Sequence, residues 1–303
     1  MTIRIGEETC TNHQNKRDME DIKKQQIVNT LRNYCERYES QAKASNSLKN
    51  VSAATVSQML NGKWELIKDE MWRNVAAQIG YKDEKWNAVA TRDFTTLTRI
   101  LEDVQENALV MAVTGDAGSG KTFALRQYTN AHKQVYLLCC NEYWNRKAFL
   151  NELMQTMGRD AAGLSVNEMM MDAVRYLKMQ EAPLLILDEA DKLSDKVLYF
   201  FISLYNALEG ECGLLMVATS HLELRIRKGV KANRKGYNEI WSRVGRKCVT
   251  LKGVSAADIT AVCEANGVTD PRDIDIVIND SESDLRRVRR KIHAILKGKE
   301  AAK

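Results

Sequence analysis

Proline is almost absent, with 2 in 303 residues, and no two cysteines stand at C-x-x-C spacing. The first shortage, together with long charged stretches of helical period, predicts a mostly helical protein with few rigid loops. The second excludes a zinc site of the usual spacing. The seven cysteines (Cys10, Cys35, Cys139, Cys140, Cys212, Cys248, Cys263) are odd in number and the four histidines are scattered. A disulfide framework is therefore unsupported, and a reducing cytoplasm is the default compartment. No apolar run approaches the roughly 18 residues that a membrane span needs, and "MTIRIGEETCTNHQNKRDMED" has no apolar segment of the signal-peptide kind. No membrane partner is expected. The apolar share of 44% is ordinary, and the length allows two or three domains. A net charge of +5 is modest but unevenly spread. From His221 to Lys247 the bases are Arg225, Arg227, Lys228, Lys231, Arg234, Lys235, Arg243, Arg246 and Lys247, against Glu223 and Glu239 alone, and from Arg286 onward "RRVRRKIHAILKGKEAAK" has one acid, Glu300.

Residues 1–21 are polar and aperiodic, so a disordered arm is expected there. Residues 22–83 divide into four or five short helices. In "NVSAATVSQMLNGKW", Ser52 can cap a helix, Val51 and Val56 stand at the two positions of a hydrophobic staple, and Gly62 follows as a stop. Val56, Met59 and Leu60 share one face. Thr55, Ser57, Gln58 and Asn61, followed by Lys63, then point outward, where they can hydrogen-bond base edges or phosphates. The pattern resembles the second helix of the lambda-repressor-like helix-turn-helix, which implies a DNA-binding domain. A small helical module that binds protein, or caps the next domain, is the other reading.

The stretch "VTGDAGSGKTFALRQY" fits G-x-x-x-x-G-K-[ST] from Gly115 to Thr122, after the apolar run "ALVMAV" and before a helical pattern. Gly115, Gly118 and Gly120 let backbone N–H groups turn inward around phosphates, with Asp116, Ala117 and Ser119 completing the turn. Lys121 supplies positive charge to the β- and γ-phosphates of ATP, Thr122 an oxygen to Mg²⁺, and the helix through Phe123 aims its dipole at the anion. The pattern also arises by chance, so a second element is needed. "PLLILDEADKL" supplies it: a buried strand that ends in Asp188 and Glu189. Asp188 can hold the Mg²⁺ shell with Thr122, and Glu189 can activate water. With the intervening strands and helices, a doubly wound α/β sheet is expected.

"GDAGSGKT", "LLILDEAD", the strand ending in "ATSH", "EIWSRVGRK" and "SDLRRVRRK" resemble, in this order, the Walker A, Walker B, sensor 1, arginine-finger and sensor 2 segments of AAA+ ATPases. With the helical domain in front, the chain is similar to the branch that activates target DNA for transposition in phages and transposons. The resemblance implies an AAA+ domain over 84–250 and a small helical subdomain over 251–303. It also implies Ser220 as sensor 1, with Thr219 as fallback. Arg243 would be the finger that completes a neighbour's site, with Arg246 as runner-up, and Arg286 a sensor 2 contact although Ser283 replaces the usual glycine. ATP-driven assembly into homo-oligomers or filaments on double-stranded DNA, and stimulation of a transposase, follow from it as expectations. A helicase loader or replication initiator, and an ATP-switched transcriptional regulator, are the alternatives.

No second catalytic constellation is visible, so ATP would switch assembly on DNA. "RIRKGVKANRKGYNEI" reads as a flexible loop whose Arg225, Arg227, Lys228, Lys231, Arg234 and Lys235 track phosphates, or as a solvated surface loop. "NEYWNRKAF" offers Arg146 and Lys147 beside Trp144, which is either a contact or a packed aromatic. The basic C-terminal helix suits DNA or an acidic partner surface.

Overall fold

The computed structural model describes residues 11–65, 67–81 and 86–301. The chain forms two compact units, 1–84 and 85–303. The first is all helical: α1 (Thr11–Cys35), α2 (Gln41–Asn46), α3 (Ala53–Leu60) and α4 (Asp69–Gln78). The arm expected through residue 21 is helical from Thr11 onward, and its first ten residues lie outside the described ones. Neither glycine nor proline occurs between Gly6 and Gly62, so no helix breaker interrupts α1. Ile27, Leu31, Val56, Met59, Trp72 and Val75 anchor the core of this unit, with Trp64 edge-on to Trp72 at 5.7 Å. The start of α3 follows the sequence reading. The Ser52 hydroxyl accepts the Thr55 N–H at 3.0 Å, Val51 packs on the core, and Gly62 takes φ 74°.

In the second unit α5 (Arg92–Glu106) leads into β1 (Val110–Thr114), α6 (Lys121–Ala131) and β2 (Val135–Cys139). Then come α7 (Arg146–Thr156), α8 (Val166–Lys178) and β3 (Leu184–Asp188). A 3-10 turn (Ala190–Lys192), α9 (Asp195–Leu208), β4 (Gly213–Ala218), α10 (Ser220–Lys231), α11 (Tyr237–Arg243) and β5 (Val249–Thr250) follow. The last three elements are α12 (Ala256–Ala265), α13 (Pro271–Ser281) and α14 (Leu285–Ala301). All sheet pairs are parallel, in the order β2-β3-β4-β1-β5. β3 and β4 are buried along their whole length, as strands covered on both faces must be. One apolar cluster gathers α7, α8 and α9 against the sheet, and another packs α5 and α6 on it. The order places β4 between the strand that precedes the glycine turn and the strand that ends in the two acids, so three strand ends converge at one site.

The C-terminal helices do not stand alone. Trp86 and Val89 pack into the cluster of α12, α13 and α14, and Asn87 and Asn266 exchange hydrogen bonds of 2.9 and 3.0 Å. Buried Asp93 accepts the N–H groups of Lys252 at 3.0 Å and Gly253 at 2.9 Å. The helical lobe is thus built from both ends of the unit, where the sequence suggested residues 251–303 alone.

Candidate nucleotide site

β1 delivers the chain to Gly115, whose N–H bonds Ala218 O at 3.1 Å, and the turn then uses φ 81° at Gly118 and 90° at Gly120. Gly120 is also the N-cap of α6, so no side chain occupies the first-turn N–H groups of that helix. Such orphan donors with the helix dipole behind them suit an anion. Lys121 Nζ reaches Gly115 O and Asp116 O, each at 2.7 Å. Burial lowers its pKa, against the carboxylates of Asp188, Asp116 and Asp191, so a phosphate arriving here would restore the charge that burial disfavours. Ala117 is exposed, Ser119 buried, and Phe123 half-buried beside Phe94 at 6.3 Å.

Thr122 donates its hydroxyl to Asp188 Oδ2 at 2.7 Å, and the Glu189 N–H bonds Asp188 Oδ1 at 3.0 Å. Burial pushes the Asp188 carboxyl up, opposed by those two hydrogen bonds. A hydroxyl and a buried carboxylate facing each other are the donor set of a hard divalent cation, so Thr122 and Asp188 would hold Mg²⁺. Glu189 takes φ 55° and pairs with Lys192 at 2.6 Å.

The AAA domain family matches residues 104–226. A Mu-like prophage FluMu DNA transposition protein B from Haemophilus influenzae is 26% identical over 231 residues, which cover 72% of this chain and 77% of the relative. The parallel five-stranded sheet and flanking helices of the second unit fit the α/β P-loop fold of the AAA domain family. Over most of its length the chain resembles the B protein of bacteriophage Mu.

The residue at the end of β4 that meets an acid of the turn after β3 is Thr219. Its hydroxyl donates to Asp191 Oδ2 at 2.6 Å, whereas Ser220 is an exposed first residue of α10. The sequence reading preferred Ser220 and passed over Asp191; the D-E-x-D spacing, one 3-10 turn long, was the signal for it. Arg243 is held in its own subunit by Asn206 Oδ1, at 3.1 Å from Nε and 2.6 Å from Nη2, and its guanidinium lies 4.9 Å from the Tyr205 ring centre. Arg246 is exposed at φ 55°. Arg286 acts electrostatically on Lys121 and is the second residue of α14, whose first, Leu285, donates its N–H to Gly118 O at 3.0 Å. The Asp284 carboxyl lies so close to Gly118 that a Cβ there would come within 2.3 Å of it.

The expected phosphate-tracking loop, Arg225 to Ile240, is helical except for residues 232–236, which join α10 to α11. Residues 220–231 form α10, because Leu222, Ile226 and Gly229 repeat on a buried face. Arg225 is not a surface cation either. It bonds Asp195 Oδ1 from Nε at 3.1 Å and Nη2 at 2.5 Å, Leu193 O at 2.6 Å, Asp191 O at 3.2 Å and the Tyr237 hydroxyl at 3.2 Å. It braces the arm that follows Glu189. Arg227 is paired with Glu223 at 2.8 Å and lies 5.0 Å from Trp241, while Lys228, Lys231, Arg234 and Lys235 are exposed around the end of α10. Arg146 and Lys147 are exposed at the start of α7, and Trp144 is packed, at 8% exposure. On α3 the Thr55 hydroxyl meets Ser52 Oγ at 2.9 Å, Ser57 accepts from Asn61 at 3.2 Å, Gln58 is half-buried, and Asn61 and Lys63 are exposed. Among the described residues, no helix is long and apolar enough to cross a membrane and no acid, cysteine and histidine group could hold a metal by itself.

Proposed function

We propose that the protein binds and hydrolyses ATP with Mg²⁺ and uses the nucleotide to assemble on double-stranded DNA, where it recruits and stimulates a transposase. The observation that carries the reading is the convergence of Lys121, Thr122, Asp188, Glu189 and Thr219 at three neighbouring strand ends. The transposition name of the Haemophilus influenzae relative supplies the partner class. Mg²⁺ supplies Lewis acidity at the phosphate oxygens. The chain's own residues do the rest. Lys121 and the backbone N–H groups of the turn orient the phosphates, Asp188 and Thr122 fix the cation, and Glu189 takes the proton of the attacking water after leaving Lys192. Arg246, whose guanidinium has no partner inside its own chain among the described residues, is better placed than Arg243 to reach a neighbour's phosphate.

Lys228, Lys231, Arg234 and Lys235 form a sequence-independent phosphate contact, and the α3 side chains Thr55, Ser57, Gln58, Asn61 and Lys63 a second one in the first unit. Electron microscopy of protein on duplex DNA tests the reading. Coating is expected with ATP and Mg²⁺ and is expected to vanish without them. Lys121→Ala should lose nucleotide and coating together, whereas Glu189→Gln should keep ATP and hold the assembly longer; identical behaviour of the two variants would overturn the division of roles.

A further inference from the structure

Beside the start of α7 lies an open cleft of about 380 Å³ that the nucleotide chemistry does not use. Its floor is apolar, made by packed Trp144, half-buried Val166 and buried Val197. Its rim carries Arg146, Lys147 and Lys196, all exposed, and no acid lines it. We propose that this cleft docks an acidic peptide segment of a partner protein, with one aliphatic or aromatic side chain seated on the floor and flanking carboxylates on the rim.

The volume is within the roughly 300–1,000 Å³ of sites that enclose a ligand group. Three cations without a lining acid are complementary to an anionic occupant, and an Arg can grip a carboxylate through two parallel N–H bonds. The apolar floor decides between anions. Duplex DNA presents phosphates and sugars on a convex surface and brings no apolar group that could cover the floor, whereas a peptide places a Leu or Phe between carboxylates. The proposal takes Arg146 and Lys147 away from duplex contact and does not depend on the DNA reading.

Apart from Val166 at the start of α8, the cleft is built from the segments that follow β2 and the 3-10 turn. On one side the loop after β2 is tied to β3 by the Cys140 N–H on Asp188 O at 2.9 Å. On the other, Lys196 and Val197 follow the turn that holds the Glu189–Lys192 pair. A peptide bridging the walls therefore touches both supports of the two acids.

The test uses the full-length protein and a fluorescein-labelled hexapeptide with four Asp or Glu residues, one Leu and one Phe, read by anisotropy. Saturable binding is expected, weakened about tenfold by Arg146→Ala with Lys196→Ala, as two rim ion pairs would give. Val166→Trp, which fills the floor, should weaken it as well while leaving both rim cations in place. Replacing the acids by Asn and Gln, or Leu and Phe by Ser, should each lower affinity to a similar extent. Three results would overturn the proposal: equal binding by wild type and both variants, undiminished binding of the peptide lacking Leu and Phe, or loss of duplex binding by the rim variant with peptide binding unchanged.

Discussion

Arg225→Ala separates a brace from a DNA contact. In sequence Arg225 is one of nine bases between His221 and Lys247; in the fold its guanidinium serves Asp195, Tyr237 and two backbone carbonyls. Charge-assisted bonds contribute about 1.5–3 kcal/mol each when shielded, but the Asp195 side chain is 55% exposed and water would recover part of the loss. A net cost of about 3 kcal/mol follows, which for a unit of this size lowers the melting midpoint by roughly 6–12 °C. The pH dependence has a definite direction. Burial pushes the Asp195 carboxyl up, but its bonds from Tyr237 and Arg225 outweigh that and hold it below its ordinary value. A depressed carboxyl contributes stability above its unfolded pKa of about 3.9, lost as pH falls through the folded value. The gap between wild type and variant should therefore be full at neutral pH and narrow below about pH 4. In DNA titrations the dependence of log K on log salt should be unchanged by Arg225→Ala, whereas Lys228→Ala with Lys231→Ala should leave melting unchanged and reduce the slope by about 2. A variant that melts like wild type but loses salt dependence would refute the brace.

Thr219→Ala should abolish ATP turnover with little effect on nucleotide affinity, and Ser220→Ala should leave turnover intact; the reverse in a phosphate-release assay would return the sensor role to Ser220. Ser283→Gly should raise stability by about 1 kcal/mol in urea titration, because Ser283 holds φ 60° directly after Glu282 at φ 51° and glycine relieves that strain. Gly229→Ala removes a helix-interior glycine, which alone would stabilise by about 1 kcal/mol. Its Cβ would fall 2.3 Å from the Tyr237 ring, so a net loss of about 1–2 kcal/mol is expected by differential scanning calorimetry.

The nucleotide site was legible in sequence because phosphate binding constrains consecutive residues. Glycines at fixed offsets, then Lys121 and Thr122, must occur in one turn, and a buried strand must end in its acids. The strand order and the meeting of Thr219 with Asp191 were hidden, since they join residues 28 apart in sequence that only the insertion of β4 brings together. The misreading of residues 225–231 as part of a loop has a compositional cause. Leu222 and Ile226 keep helical spacing, but Arg, Lys and an interior glycine dominate the segment, and glycine is there to admit the Tyr237 ring rather than to loosen the chain. The packing of Trp86 and Val89 was hidden for a similar reason: nothing local tells that their apolar partners lie near the other end of the chain.

The bond from the Leu285 N–H to Gly118 O ties the phosphate turn to the basic C-terminal helix through main chain alone. Exchange of the Leu285 side chain leaves that donor in place, whereas the acceptor end is fixed as glycine, because a Cβ at Gly118 would run into the Asp284 carboxyl. Only an imino acid removes the donor, and Leu285 is the first residue of its helix, the one position where proline fits without a kink.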